Sequence, residues 1–269
     1  MQDSLNFQTY LINLDRSKDR LERMEKEFEK SGIHKFERIR AVDARNLKDT
    51  DYTLKNRYDR NLVPGEIGCF LSHIKTMQTF LKSSFRFAII IEDDAKLEIN
   101  YKRTVEKSIE IYDSLPEKHQ WDVLKLKNGK RRSINVQQLD ETYFIGACGT
   151  SIPISTLGAI WTRKGAEKFL KKTLKNGIPI IKRPIDCELQ HAWNFNLRIY
   201  NLLPSVVDAN PMNSVSEIHH DVSLRKAKLL KQIFYELNRL FPKYYYYLSH
   251  HSLKKFVDSF ISKRTKLVK

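Results

Sequence analysis

The stretch Phe87-Ala-Ile-Ile-Ile-Glu-Asp-Asp-Ala95 decides the fold of this chain. Ala88 to Ile91 are apolar without alternation, the pattern of a strand covered on both faces, as in a parallel sheet with helices on either side. The run stops at three consecutive carboxylates, and sheets of this class bind ligands beyond the carboxyl ends of their strands. Side chains alternate along a strand, so Glu92 and Asp94 are expected on one side and Asp93 on the other. Three adjacent acids repel one another and lose hydration when partly buried, so a cation belongs among them. A hard divalent metal (Mn2+ or Mg2+) bridging to substrate phosphates meets that need. A solvated loop or a helix N-terminus, which also favours acids, is the alternative.

The segments around this strand fit an α/β sheet. Thr9 to Asp15 reads as a first strand, with Ser17 or Asp15 placed to cap the helix that follows. Leu21, Met24 and Phe28 share one face of that helix, and Gly32 is placed to end it. Phe36 to Val42 predicts a second strand, which makes a β-α-β start. Asn46 to Val63 is polar and weakly patterned, and is expected to be a long loop. Pro64-Gly65-Glu66 opens a helix with Ile67, Phe70, Leu71, Ile74 and Leu81 on one face. Ser72 and His73 ride on it, His73 as a satisfied core or supporting histidine or as a functional one. Beyond the opening strand, Lys96 to Ser114 predicts a helix. Trp121 to Leu126, Tyr143 to Cys148, Leu157 to Trp161 and Leu197 to Leu203 predict strands. Arg163 to Lys175 is an amphipathic helix that Gly177 would stop, and Pro184 to Trp193 a short helix with Asp186 in its first turn. Pro204 to Glu217 reads as a loop.

The 269 residues carry 48 Lys and Arg against 32 Asp and Glu, a formal net charge of +16. An anionic partner follows, whether nucleic acid, anionic lipid or a nucleotide-activated substrate. The excess is concentrated in the last fifth of the chain, where Val222 to Lys269 holds twelve basic residues and two acids, Glu236 and Asp258. We therefore expect a main domain over 1–221 and a basic, aromatic-rich helical appendage over 222–269. Leu230, Ile233, Phe234, Leu237, Leu240 and Phe241 form a helical apolar stripe there, suited to lying on an anionic membrane surface. Packing on the main domain or on a second copy of the chain is the alternative. The sequence has no recognised nucleic-acid-binding motif, which argues against that partner. The first residues lack the basic-then-apolar pattern of a signal peptide, and Cys69, Cys148 and Cys187 have neither disulfide-like nor zinc-like spacing, so a cytoplasmic setting is expected.

Four segments in order, Tyr10-Leu-Ile-Asn-Leu-Asp-Arg-Ser-Lys-Asp-Arg20, Phe36-Glu-Arg-Ile-Arg-Ala-Val-Asp43, Pro64-Gly-Glu-Ile-Gly-Cys-Phe-Leu-Ser-His73 and Ile89-Ile-Ile-Glu-Asp-Asp94, resemble glycosyltransferase family 25. The resemblance covers roughly residues 7 to 217. It implies a GT-A type fold, a UDP-sugar donor, a divalent metal and inversion at the anomeric carbon to give a β-linkage. In the terms of such enzymes, Glu92-Asp93-Asp94 would stand at the metal and the donor, with Asp94 the preferred direct ligand. Glu92, longer by a methylene than the usual first Asp, would reach ribose or the metal's surroundings. Asn13, Asp15, Arg16, Arg20 and Asp43 would cradle the nucleotide. Arg16 can equally be a solvated surface charge, and Asp15 a simple cap. Asp186, placed by the family motif in the acceptor half, would be the base that takes the acceptor's proton, with Asp122 the second candidate. His219 or His220 could complete the metal's ligands. The acceptor implied is the oligosaccharide of a bacterial lipooligosaccharide or lipopolysaccharide, met at the inner membrane through the basic tail.

Overall fold

A computed structural model gives the architecture. It describes residues 5–48, 50–129, 133–148 and 152–211, and within the C-terminal segment residues 237, 240–246 and 248. In chain order the elements are β1 (Phe7–Asn13), α1 (Lys18–Lys30), β2 (Glu37–Arg40), β3 (Thr53–Leu54), α2 (Pro64–Lys82), β4 (Phe87–Glu92), β5 (Ala95–Leu97), α3 (Tyr101–Glu110) and β6 (Val123–Lys125). There follow β7 (Ser133–Gln138), β8 (Phe144–Cys148), β9 (Gly158–Thr162), α4 (Arg163–Thr173), β10 (Leu174–Lys175), β11 (Ile178–Ile181), α5 (Ile185–Leu189), β12 (Ile199–Leu203) and β13 (Val207–Ala209).

Eight strands form one sheet in the order β2-β1-β4-β9-β6-β12-β8-β7. Phe87 to Ile91 of β4 are all buried, as an unalternating apolar run requires. Tyr10 and Ile12 of β1 and Ala88 and Ile90 of β4 face one layer with Phe70, Ile74 and Met77 of α2, Phe169 of α4 and Leu189 of α5. Leu11, Ile89 and Ile91 face the other, against Met24 and Phe28 of α1 and Val105 and Ile109 of α3. Helices thus cover both faces.

The sheet is mixed, with most of its strands pointing the same way. β1 pairs in parallel with β2 and β4, and β6 with β12, but β9 runs antiparallel to both β4 and β6, and β8 to both β12 and β7. Six of these eight strands still point the same way, so the carboxyl ends of β1, β2, β4 and β6 collect at one edge.

Other local readings also change. The segment expected to be a long loop after Asn46 contains β3, which pairs in parallel with β11, Ile180 opposite Thr53 and Ile181 opposite Leu54. Lys55 and Arg57 continue the ladder by donating their N–H groups to the carbonyls of Ile181 and Lys182. The helix expected from Lys96 begins only at Tyr101, because Ala95–Leu97 pairs with β13 inside the segment read as a loop. Gly177 does not end α4; with Asn176 it forms the turn between β10 and β11, both residues at positive φ. Gly32 does follow the end of α1, at φ 70°. The boundary at 221/222 and most of the tail lie outside the described residues. The part that is described is helical, and Tyr246 is buried there, its hydroxyl donating to Leu197 O at 2.8 Å.

Candidate active site

The carboxyl-end edge is where the chain's acids and arginines meet. Glu92 ends β4 on the α2 side of the sheet, and one helical turn of α2 brings Cys69 and His73 onto it. His73 Nε2 lies 2.8 Å and Cys69 Sγ 3.7 Å from Glu92 Oε1. His73 Nδ1 is buried and has no hydrogen-bond partner, which places the ring proton on Nε2, donated to Glu92. Burial alone would raise the Glu92 carboxyl, but the bonds it accepts, that from His73 foremost, outweigh it and hold the group below its usual range. The three donor atoms of Cys69, His73 and Glu92 all lie within 4.8 Å of one another. His73 thus bonds the acid that ends β4.

Asp93 turns to the opposite face, as alternation requires. It accepts from Asn13 Nδ2 at 2.8 Å and pairs with Arg20 at 3.2 Å, while Arg23 donates to its carbonyl. Asn13, itself buried at the end of β1, also donates to Ser17 O at 3.0 Å and accepts from Arg38 Nε at 2.9 Å. Asn13, Arg20 and Asp93 thus form one frame joining β1, α1 and β4. Asp93 is expected among the acids at the donor and on the side of the strand opposite Glu92, and its bonds run to this frame.

Asp94 lies in the turn beyond β4, and its buried Oδ1 has no hydrogen-bond partner. Burial, then the charges of Glu92 and Asp93, push its carboxyl up to about 7, with Arg20 opposing. An orphaned carboxylate oxygen raised by two neighbouring acids is the environment that a divalent cation would relieve, so these residues fit an oxygen-seeking metal. His219, the other expected ligand, lies outside the described residues.

At the ends of β1 and β2, Asp15 is exposed and bridges Arg38 at 2.8 Å and Arg40 at 2.5 Å; it does not cap α1. Ser17 occupies the cap position without a side-chain bond. Asp43 caps a short 3-10 turn over Ala44–Asn46, binds Arg45 at 2.6 Å and pairs with Arg16. The Arg45 bonds lead in drawing its carboxyl down to about 2. Arg16 is therefore partnered. Asn13, Asp15, Lys18, Leu21, Glu22 and Arg38 line an open cleft at this end.

Asp186 reaches the site from α5, which Pro184 begins. Its Oδ1 accepts from the Cys187 N–H at 2.7 Å. Burial raises its carboxyl, with the Cys187 N–H and Lys125 opposing and Glu92 adding to the rise. The β3–β11 ladder and the Cys187 thiol, 3.4 Å from the Tyr58 hydroxyl, fix this turn beside α2. Glu188, two residues on, is taken by Arg183 at 2.8 Å.

Asp122 does not join them. It precedes β6, its carbonyl accepting from Thr162 N, whereas Glu92 N donates to Leu157 O at the far end of β9. Five residues of strand, about 16 Å, separate the two levels. Asp122 is buried and holds Lys168 at 2.7 Å and the Arg198 N–H at 2.8 Å, so it ties β6, α4 and the entry to β12 together. These are the contacts of a structural carboxylate, away from the edge where a base was expected. Lys125, which the strand reading passed over, is fully buried near Glu92 and Asp186. The signal was present: a lysine inside Val123-Leu124-Lys125-Leu126, a run covered on both faces, has to be compensated.

The description Glycosyltransferase family 25 (LPS biosynthesis protein) matches residues 6–187. A Glycosyltransferase 25 family member of Aedes aegypti is 28% identical over 217 residues, 72% of this chain and 34% of the relative. Procollagen galactosyltransferase 1 of Danio rerio is 25% identical over 225 residues, 76% of this chain and 37% of the relative. The chain thus spans about a third of the length of these relatives. A relative in Rattus norvegicus called a probable inactive family member 3 is 25% identical over 154 residues, 54% of this chain and 26% of its own, so membership alone does not carry activity. With the matched region reaching from β1 through the first turn of α5, the chain belongs to glycosyltransferase family 25.

Proposed function

We propose that the chain is an inverting glycosyltransferase of GT-A type. It moves a hexose, galactose or glucose, from a UDP-sugar to the oligosaccharide of a bacterial lipooligosaccharide or lipopolysaccharide. The observation that carries this reading is the unpartnered, buried Asp94 oxygen beside Glu92, at the strand edge that also carries Asn13, Arg20 and Asp186. Asp94 would hold the divalent cation, with Glu92 beside it. A cation there supplies neutralisation of charge on the departing diphosphate. Asn13, Arg20 and Asp93 keep the turn rigid, and the arginines around Asp15 and Asp43 give the cleft a positive rim for an anionic donor. Asp186 takes the proton of the acceptor hydroxyl as its oxygen attacks the anomeric carbon opposite the leaving group, which gives a β-linkage.

The galactosyl choice draws on the relatives' names and the glycolipid acceptor on the family description. The basic tail would meet an anionic membrane surface, in keeping with Leu237, Phe241 and Tyr245 being exposed on the described turn. Among the described residues no helix is long and apolar enough to cross a membrane.

The test is transfer from UDP-galactose and UDP-glucose to a purified bacterial glycolipid with and without Mn2+, with the product's anomeric configuration read by NMR. Asp94→Asn should lower turnover about a hundredfold or more. Full turnover in that variant, or an α-linked product, would overturn the reading.

A further inference from the structure

A second group of metal-binding side chains stands at the acid edge, and α2 builds it. Cys69 and His73 are four residues apart, so one turn of helix puts both on the same face. Gly68 and Ser72 hold the helix close to the sheet. A Cβ at Gly68 would lie 2.5 Å from Val42 O, and Ser72 Oγ accepts from the Val42 N–H at 2.8 Å while donating to Gly68 O at 2.6 Å. With α2 pinned against the end of β2, Cys69 and His73 meet the end of β4. There Glu92 Oε1 lies 2.8 Å from His73 Nε2 and 3.7 Å from Cys69 Sγ. The three donor atoms fall within 4.8 Å of one another, and among the described residues no other three thiol, imidazole or carboxylate donors form such a group.

Spacing and atom type together identify the ion. Zinc binds sulfur at about 2.3 Å and nitrogen or oxygen at about 2.0–2.2 Å, so its tetrahedral ligands sit about 3–4 Å apart. Glu92 is already close to that spacing from both partners. A thiolate beside an imidazole favours zinc, whereas manganese and magnesium prefer oxygen. The other thiols have partners elsewhere, Cys148 at Ile199 O and Cys187 at the Tyr58 hydroxyl. Cys69 is partly exposed and the Glu92 side chain is 20% exposed, so an ion can reach them from solvent, while His73 is sealed beneath at 3%.

We infer that Cys69, His73 and Glu92 form a binding site for a thiophilic divalent cation, Zn2+, distinct from the oxygen site proposed at Asp94 but sharing Glu92 with it. On binding, the Cys69 proton leaves to water, and the His73 ring proton passes from Nε2 to Nδ1, which has no partner to lose. The site itself does not depend on the proposed transfer. Its consequence rests on that reading: zinc on Glu92 takes away the carboxylate beside Asp94 and slows transfer.

The experiment adds Co2+ and then Zn2+ to the reduced, metal-free full chain, with Cys69→Ser, His73→Gln and Asp94→Asn alongside. One equivalent of Co2+ should give a thiolate-to-cobalt charge-transfer band in the wild type and in Asp94→Asn, and Zn2+ should abolish it. Cys69→Ser should lose the band, and both it and His73→Gln should bind Zn2+ about tenfold or more weakly. Mn2+ should still raise the Tm of Cys69→Ser. Zn2+ should slow Mn2+-supported transfer in the wild type and not in Cys69→Ser. No band in the wild type, a band that persists in Cys69→Ser, or a Zn2+ affinity unchanged by that substitution overturns the site. The expected bands in a protein that transfers no sugar uphold the site and count against the proposed function alone. Should His73→Gln fail to fold, Cys69→Ser decides by itself, since it only exchanges sulfur for oxygen at a partly exposed position.

Discussion

Replacing Asp122 by Asn separates a structural carboxylate from a catalytic one. The side chain keeps its shape, and its remaining oxygen can still accept from the Arg198 N–H, now 2.8 Å away. What is lost is the charge facing Lys168 at 2.7 Å. Lys168 is not left stranded, because it also donates to Asn196 O at 2.8 Å and is partly open to water. The cost therefore falls short of the roughly 3–5 kcal/mol of an uncompensated buried charge. It should match one charge-assisted hydrogen bond, about 2–3 kcal/mol. For a domain of this size that is a fall in Tm of about 4–12 °C. Urea or thermal unfolding measures it, and sugar transfer at a temperature where the variant is folded should stay near the wild-type rate. A variant of undiminished stability that loses turnover a hundredfold would refute the reasoning and restore Asp122 as a base.

Other outcomes follow from the same geometry. Because the folded Asp94 carboxyl titrates near 7, above its unfolded value, the metal-free protein binds the extra proton between about pH 4 and 7 and loses stability as pH rises through that window. Asp94→Asn should remove this loss, and Mn2+ at pH 7 should raise the Tm of the wild type but not of the variant. Gly68→Ala would set a Cβ 2.5 Å from Val42 O, so α2 must move off the end of β2, at about 1–3 kcal/mol in chemical denaturation. Tyr246→Phe leaves Leu197 O without its donor and should cost about 1 kcal/mol in the full chain; no change would mean that this turn does not dock on the domain.

The local pattern carried much of this. The apolar run before Glu92 identified a two-sided strand, the β-α-β entry followed from Thr9 to Val42, and period two put Asp93 on the face opposite Glu92. These depend on neighbours within a few residues, so a linear reading reaches them. β7 escaped because Ser133 to Gln138 is largely polar and half-buried at the sheet margin, with only Ile134 and Val136 to mark an apolar face. The helix expected from Lys96 was shortened because β13, more than a hundred residues away, claims Ala95 to Leu97.

What the sequence alone determined was therefore the kind of edge this protein has: a buried strand delivering acids, beside a β-α turn, with Asp186 arriving from a short helix. What only the tertiary structure decided was which charges share that edge. Strand direction is invisible in a run such as Trp121 to Leu126, since the same residues can enter the sheet either way up. The insertion of antiparallel β9 between β4 and β6 fixed it. That one pairing sent Asp122 to the far end, bound to Lys168, and brought Lys125 to the near end among Glu92 and Asp186.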